Sequence, residues 1–232
     1  MTSPRQFVVA SLLLTSLLGV SRADAMVVDC GPRICFQYDE TQAATAVFGL
    51  PFRVGDTLEF LPPAAAVLAE GGSSPAGLSA TFVIDRIFSS LGSLAALQLH
   101  VEGDQDATAG SSVGSSLDLQ AFDNSGPGTG SGSASYTATG DGSGPRLWQL
   151  EATLDPTGLF GGPSADLRLQ LTSLLSASTD GAGASGWIAT KYLAISATTV
   201  PAPPALGLFL ATLAAAGVRA RRRAPLPAGR CA

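Results

Sequence analysis

Apolar and polar residues alternate in steps of two along four segments in the middle of the chain. Such a period over eight or more residues predicts β-strands that bury one face and expose the other. The apolar rows are Val113, Ser115, Leu117, Leu119 and Ala121; Trp148, Leu150, Ala152 and Leu154; Leu167, Leu169, Leu171 and Leu175; and Trp187, Ala189, Leu193, Ile195 and Ala197, where Lys191 breaks the row. The chain is therefore predicted to be rich in half-buried strands, with both tryptophans in the core.

Clusters of Gly, Ser, Pro and Asp separate these strands, for example at 123–135, 139–145 and 178–186. Strands joined by turn residues, with few periodic runs of helix length, predict an all-β fold, an antiparallel, jelly-roll-like β-sandwich. We interpret the Gly/Ser run at 123–135 as a flexible loop within that domain. The alanine-rich segment 62–70 is consistent with either a helical turn or a strand.

The first 25 residues follow the plan of a secretory signal peptide. Arg5 precedes an apolar stretch at 7–20, and Ala23 and Ala25 occupy the small-x-small positions of a cleavage site. We therefore expect a signal helix over 1–25, removal by signal peptidase, and a mature chain that begins near Met26 outside the cytoplasm.

A second apolar run lies near the C-terminus, at 205–218, after three prolines and before an arginine cluster. Its fourteen residues, at ~1.5 Å each, span roughly 21 Å, less than the ~30 Å of a bilayer's hydrocarbon core. Such a helix is better suited to a temporary hold in the membrane than to a permanent anchor, which is the alternative. The positive-inside rule places the cluster in the cytoplasm; it consists of Arg219, Arg221, Arg222 and Arg223.

The same tail resembles a PEP-CTERM sorting domain. The resemblance rests on the proline motif, the transmembrane-type helix and the arginines, with alanine where the family usually has glutamate; the motif is Val200, Pro201, Ala202 and Pro203. It implies that 200–232 is a sorting tail, read by an exosortase-type enzyme that passes the protein from the inner membrane to the cell surface or extracellular matrix. Segments at 54–60, 99–104, 111–119 and 187–196 also resemble the β-rich ectodomains that precede such tails, which implies a secreted sandwich without assigned chemistry.

The predicted ectodomain, residues 26–199, is strongly acidic. It has 17 acidic against 6 basic residues, a net charge of −11, whereas the whole chain has −5. This charge repels nucleic acid and anionic lipid headgroups. We therefore expect no nucleic-acid partner, and contact with the membrane only through the terminal segments.

Two small sets of residues are candidates for a disulfide and a metal site. Cys30 and Cys35 bracket a Gly-Pro turn and are a candidate disulfide in an oxidising compartment. Glu102, Asp104 and Asp106 offer oxygen ligands at alternate positions, which suits a weak Ca²⁺ site in a loop at a strand end. A solvated hairpin turn is the alternative there, and no other cofactor is expected.

Residue types that carry catalysis are sparse. The single histidine, His100, lies in an alternating strand segment where a partly exposed side chain is expected, and no serine has a G-x-S-x-G setting. We therefore expect no enzyme, but an exported structural or interaction protein of the cell surface or extracellular polymeric matrix. The alternative is a carbohydrate-binding module or weak glycan-acting enzyme that binds extracellular polysaccharide through exposed aromatic rings near carboxylates. The candidate rings are Trp148, Trp187, Tyr136 and Tyr192.

Overall fold

A computed structural model describes residues 25–72, 75–161 and 164–201. The predicted signal residues 1–24 lie outside this part of the chain, as do Ala202, Pro203 and the arginine cluster. Within the described ranges, no helix is long and apolar enough to cross a membrane. The elements are β1 (Met26–Cys30), β2 (Cys35–Asp39), α1 (Thr45–Phe48), β3 (Phe52–Val54), β4 (Thr57–Phe60), β5 (Ala66–Glu70), β6 (Ala76–Phe88), β7 (Gly92–Ala107), β8 (Ser111–Asp123), β9 (Thr129–Thr139), β10 (Arg146–Leu154), α2 (Pro156–Phe160), β11 (Asp166–Thr179) and β12 (Ser185–Pro201).

The strands form two sheets in which every pairing is antiparallel. Sheet A has the order β1-β2-β6-β11-β8-β9, and sheet B has the order β10-β7-β12-β4-β3, with β5 also paired to β12. The predicted antiparallel β-sandwich is confirmed. The ambiguous segment 62–70 contributes a strand, β5, rather than a helical turn.

The core lies between the sheets and is built from the predicted alternating rows. Leu117 of β8, Leu154 of β10 and Leu171 of β11 are each at most 2% exposed. An aromatic contact links the two sheets, because the rings of Phe60 in β4 and Phe82 in β6 meet edge to face with centroids 5.0 Å apart. The inward side of these strands is therefore mainly apolar, and the outward side is free for polar residues.

The apolar row predicted for 187–197 is wrong at Trp187. The pairing of β12 with β7 shifts register between Thr190 and Tyr192, so Lys191 is an extra, bulged residue. A bulge of one residue moves the following side chains to the opposite face. Ile188 is therefore fully buried, whereas Trp187 lies half-buried on the outer face of sheet B, outside the predicted core.

The flexible loop predicted at 123–135 is also wrong beyond residue 128. Strand β9 pairs with β8 along its whole length, from Thr129 to Thr139. Glycines at the start of this strand and just before it make room for helix α2: a Cβ at Gly128 would lie 2.7 Å from Cδ1 of Phe160, and one at Gly130 would overlap the side chain of Leu159. The glycines therefore serve packing rather than flexibility.

A disulfide joins Cys30 to Cys35, which lie directly opposite each other in the β1–β2 hairpin. This hairpin of sheet A is tied to the β3–β4 hairpin of sheet B. The carboxylate of Asp56 accepts hydrogen bonds from the backbone amide and the Nε of Arg33, both at 2.9 Å. The two sheets are thus connected at one edge by an ion pair.

Strand β12 continues into the predicted sorting motif. Val200 pairs with Ser93 and Pro201 pairs with Gly92, so the first two motif residues are also the last residues of the sheet. The proline motif therefore begins within the last strand of the sandwich, and no linker separates the two.

Candidate functional site

The outer face of sheet A carries a shallow groove along β8 and β9. Its central depression has a volume of about 410 Å³. Smaller depressions of about 260 Å³ and about 130 Å³ extend it along the strands, beside Phe122 and Leu174 respectively. We call the central depression the hydroxyl groove, and define it by the side chains of Asp118, Gln120, Ser131, Ser133 and Thr172.

Strand register arranges these side chains in rows across the sheet. Asp118 lies between Thr172 of β11 and Ser133 of β9, each directly opposite it. Two positions along β8, Gln120 lies opposite Ser131. Neighbouring strands are ~4.8 Å apart and successive rows ~7 Å apart. The groove therefore presents a regular grid of hydrogen-bonding groups.

The two strongest polar groups of the groove have no protein partner. Asp118 and Gln120 are exposed, and among the described residues neither side chain forms a hydrogen bond or ion pair. Thr172 differs, because its Oγ1 lies 2.9 Å from Oγ1 of Thr81. A carboxylate accepts hydrogen bonds and an amide both donates and accepts them. The groove thus offers both kinds of group to a ligand.

An aromatic ring lies where the groove continues toward the end of β8. Phe122 is half-buried and lines the adjoining depression. The guanidinium carbon of Arg168, on the opposing position of β11, is 5.7 Å from the centroid of that ring. One end of the groove therefore combines an apolar ring with a cation.

The predicted Ca²⁺ ligands lie on the opposite side of the molecule, in a strand rather than a loop. Glu102, Asp104 and Asp106 alternate along β7, which is paired on both sides by β10 and β12. Alternate residues are ~7 Å apart along a strand, so the outer two carboxylates start from backbone positions ~14 Å apart, whereas one Ca²⁺ holds its oxygens at 2.3–2.6 Å. The loop prediction is wrong, and within the described ranges no three His, Cys, Asp or Glu residues are grouped to hold a metal ion.

Several ionisable side chains on this outer face of sheet B contact one another. His100, whose side chain is 31% exposed, has Nε2 2.6 Å from Oε1 of Glu102 and Nδ1 3.5 Å from Oε1 of Glu151. Lys191 places Nζ 3.9 Å from Oδ2 of Asp104. The predicted partial exposure of His100 is confirmed. We call this surface, defined by these five residues, the acidic face.

Two of the candidate aromatic rings border the acidic face. Tyr192 hydrogen-bonds to Glu59, and partial burial together with the negative charge of Glu59 raises the pKa of the phenol. Trp187 has Nζ of Lys191 5.9 Å from its ring centroid. Both rings are half-buried, so each already makes contacts within the protein.

The other two rings lie inside the sandwich. Trp148 is 3% exposed, as predicted for a core residue, and Tyr136 stacks on it with centroids 5.7 Å apart. The four candidate rings are therefore divided between the interior and the acidic face and do not form one platform.

The hydroxyl groove was missed by the sequence analysis. Its members come from three strands, and the Gly/Ser composition of one of these, β9, predicts a loop. The available signal was the polar side of the alternating rows, which contains Asp118, Gln120 and Thr172. That signal shows which side chains face water, but not which ones lie next to each other.

Comparisons with known proteins add distant likenesses in structure. No family model and no curated protein sequence matches the chain. Solved structures similar to it include TmCBM61 in complex with β-1,4-galactotriose, with 12% identity over 66% of this chain and 92% of that one and a TM-score of 0.24. The CBM22-1 xylan-binding domain from Paenibacillus barcinonensis Xyn10C has 12% identity over 77% and 88%, with a TM-score of 0.24. The enzymatically active domain of tailspike protein 4 from bacteriophage CBA120 has 11% identity over 72% and 18%, with a TM-score of 0.26.

Proposed function

We propose that this chain is a non-enzymatic module of the cell surface or extracellular polymeric matrix that binds a neutral polysaccharide along the hydroxyl groove. The observation that carries the proposal is the pair of exposed, unpartnered groups of Asp118 and Gln120 within a depression of about 410 Å³. Depressions of ~300–1,000 Å³ are typical of small-ligand sites.

The chemistry of the groove suits a sugar. Sugar hydroxyls donate and accept hydrogen bonds, and the carboxylate of Asp118, the amide of Gln120 and the flanking serine hydroxyls complement both roles. The ring of Phe122 adds an apolar surface for the C–H face of a sugar ring. Because further depressions extend the groove along the strands, it accommodates a chain rather than an isolated small molecule.

The acidic face is a weaker candidate for the same role. His100 and Lys191 are already paired with carboxylates, and Tyr192 is already bonded to Glu59. A ligand would have to break these contacts before it formed its own, whereas the side chains of Asp118 and Gln120 have no such contacts with the described residues. Ligand binding at the groove therefore carries a smaller free-energy penalty than binding at the acidic face.

The net charge of the domain and the functional groups of the groove restrict the class of ligand and the role of the protein. The net charge of −11 over residues 26–199 disfavours polyuronates and other polyanions, which supports an uncharged polysaccharide. Glycoside hydrolysis ordinarily uses two carboxylates across the scissile bond, and among the described residues Asp118 is the only carboxylate that lines the groove and its two extensions. These features support binding without hydrolysis.

Export is part of the proposal and rests on the terminal segments. The predicted signal peptide and PEP-CTERM-like tail imply signal peptidase and an exosortase-type enzyme as partners, with transient anchoring in the inner membrane. The disulfide between Cys30 and Cys35 supports an oxidising destination, because such bonds are rare in the cytosol. Mass analysis of protein from the medium and from membranes tests this part: full-length chain found only in membranes would contradict release.

Affinity electrophoresis through gels that contain soluble β-glucan, galactomannan, dextran or alginate tests binding. We expect one or more of the neutral polymers, and not alginate, to retard the protein. Asp118→Ala should weaken that binding by about tenfold or more, because a hydrogen bond to a charged group contributes ~1.5–3 kcal/mol.

Asp106→Ala is the matched control, because it removes one carboxylate from the opposite side of the molecule. It should change the affinity by about twofold or less. Failure of every neutral polymer to retard the wild type, or equal weakening by both substitutions, would refute binding at the groove.

A further inference from the structure

Strand β9 forms an open edge of sheet A. It pairs with β8 on one side from Thr129 to Thr139, and no described strand pairs with its other side. The backbone bonds of the described turns and loops do not reach this strand either. Half of its N–H and C=O groups therefore face away from the sheet.

The other open edges of the described sandwich are shorter or carry charge. Strand β3 has three residues, β1 and β5 have five each and contain Asp29 and Glu70, and β10 has nine and contains Arg146 and Glu151. Strand β9 has eleven residues without a single charge or proline. Short length, charge and proline are the features that protect edges from pairing, and β9 has none of them.

The inward row of β9 is also incompletely covered. Ala134, Tyr136 and Ala138 pack against the core but stay half-buried. The corresponding row of β10, the edge strand of sheet B on the same side, is buried from Trp148 to Leu154. A further strand beside β9 would therefore bury apolar surface as well as satisfy backbone groups.

We propose that two copies of this chain pair antiparallel through β9, so that sheet A continues across a two-fold axis. A second copy offers the same eleven-residue array, and a two-fold brings each strand opposite itself reversed. Two domains of net charge −11 repel each other least where neither has a charge. A basic partner would instead be drawn to the carboxylates on other surfaces, so the uncharged edge favours the second copy.

The pairing would complete the groove. Ser131 and Ser133 belong to β9, so the groove is open on that side in a single copy, and the second copy would border it. Two grooves would then lie side by side and could bind one polymer with increased avidity. Only this consequence depends on the proposed function; the pairing itself does not.

Sedimentation velocity of the full chain in mild detergent, over a wide concentration range, tests the pairing. We expect a monomer–dimer equilibrium. Ser135→Glu combined with Thr137→Glu should shift it to monomer, because charge on an edge strand opposes pairing and the two-fold would bring the added carboxylates of both copies into one strand pair. Both side chains are exposed, and circular dichroism checks that the variant is folded.

Gln98→Glu combined with Thr198→Glu is the control of equal charge. Both positions are exposed on internal strands of sheet B, and this variant should dimerise like the wild type. A wild type that stays monomeric, an edge variant that still associates, or a control that dissociates as far as the edge variant would each overturn the proposal. Asp118→Ala should bind polysaccharide weakly yet dimerise normally, which separates this test from that of the groove.

Discussion

The indole ring of Trp148 lies directly against the backbone of Gly103. The two residues are paired across β10 and β7, and a Cβ at Gly103 would lie 2.7 Å from both Cε2 and Cζ2 of the ring. The indole N–H lies 3.2 Å from each of the carbonyl oxygens of Asp104 and Ala189, to which it donates. Because Gly103 has no side chain, the large ring of Trp148 is buried although it belongs to the edge strand β10, and its N–H is satisfied.

Gly103→Ala should destabilise the fold by ~3 kcal/mol, the upper part of the usual range for overpacking. The added methyl group would meet the ring and also overlap the backbone oxygen of Ala189, which has little freedom to move. Urea denaturation followed by tryptophan fluorescence measures the free energy of unfolding. Gly181→Ala is the control: no atom lies within 4 Å of its added Cβ, and a loss of ~0.5 kcal/mol or less is expected. Equal losses in the two variants would contradict the steric explanation.

The features of the fold that could be predicted from the sequence are those that depend only on the alternation of apolar and polar residues within one strand. In β8, β10 and β11 each residue's face follows from its parity, so the buried positions of Leu117, Leu150 and Leu169 could be derived without knowledge of any partner strand. In β12 the same rule failed at Trp187, before Lys191, because a bulge is set by the pairing with β7 and not by the strand's own composition.

The groove could not be derived for a similar reason. Asp118, Thr172 and Ser133 are neighbours only through the register of β8 with β11 and β9. In addition, the Gly/Ser composition of β9 is typical of a loop, whereas here it follows from the need to pack under Leu159 of α2. Residue types thus predicted exposure, but the proximity of those residues depends on long-range pairing.

Asp56 should make the stability of the domain depend on acid pH. Burial alone would raise the pKa of this carboxyl, but hydrogen bonds from the backbone and side chain of Arg33 and from the amide of Ile34, with the charge of Arg33, together lower it. A carboxyl with a lowered pKa in the folded state stabilises the fold above its unfolded pKa of ~3.9. That contribution is lost as the pH falls below ~4, through the folded pKa.

Asp56→Asn tests this contribution. Thermal melts of the wild type and the variant from neutral to acid pH should show a gap in midpoint near pH 7 that narrows below pH ~4, where the wild-type carboxyl also becomes neutral. Asp180→Asn, at an exposed turn, is the control for the loss of one carboxylate elsewhere on the surface. A gap for Asp56→Asn that did not change with pH would attribute its effect to shape alone.

Tyr38 should make stability fall at alkaline pH. Its side chain is buried, and burial, followed by the negative charges of Asp29 and Glu40, raises the pKa of the phenol to about 12. The unfolded phenol ionises near ~10, so the fold keeps its full stability below that pH and loses up to ~2–3 kcal/mol as the pH rises toward 12. Tyr38→Phe has no proton to lose there. Urea denaturation of both proteins at several pH values between neutral and strongly alkaline should therefore show a steeper loss of unfolding free energy above pH ~10 in the wild type than in the variant. Parallel curves would mean that the phenol ionises equally easily in the folded and unfolded chains, and would contradict the predicted linkage.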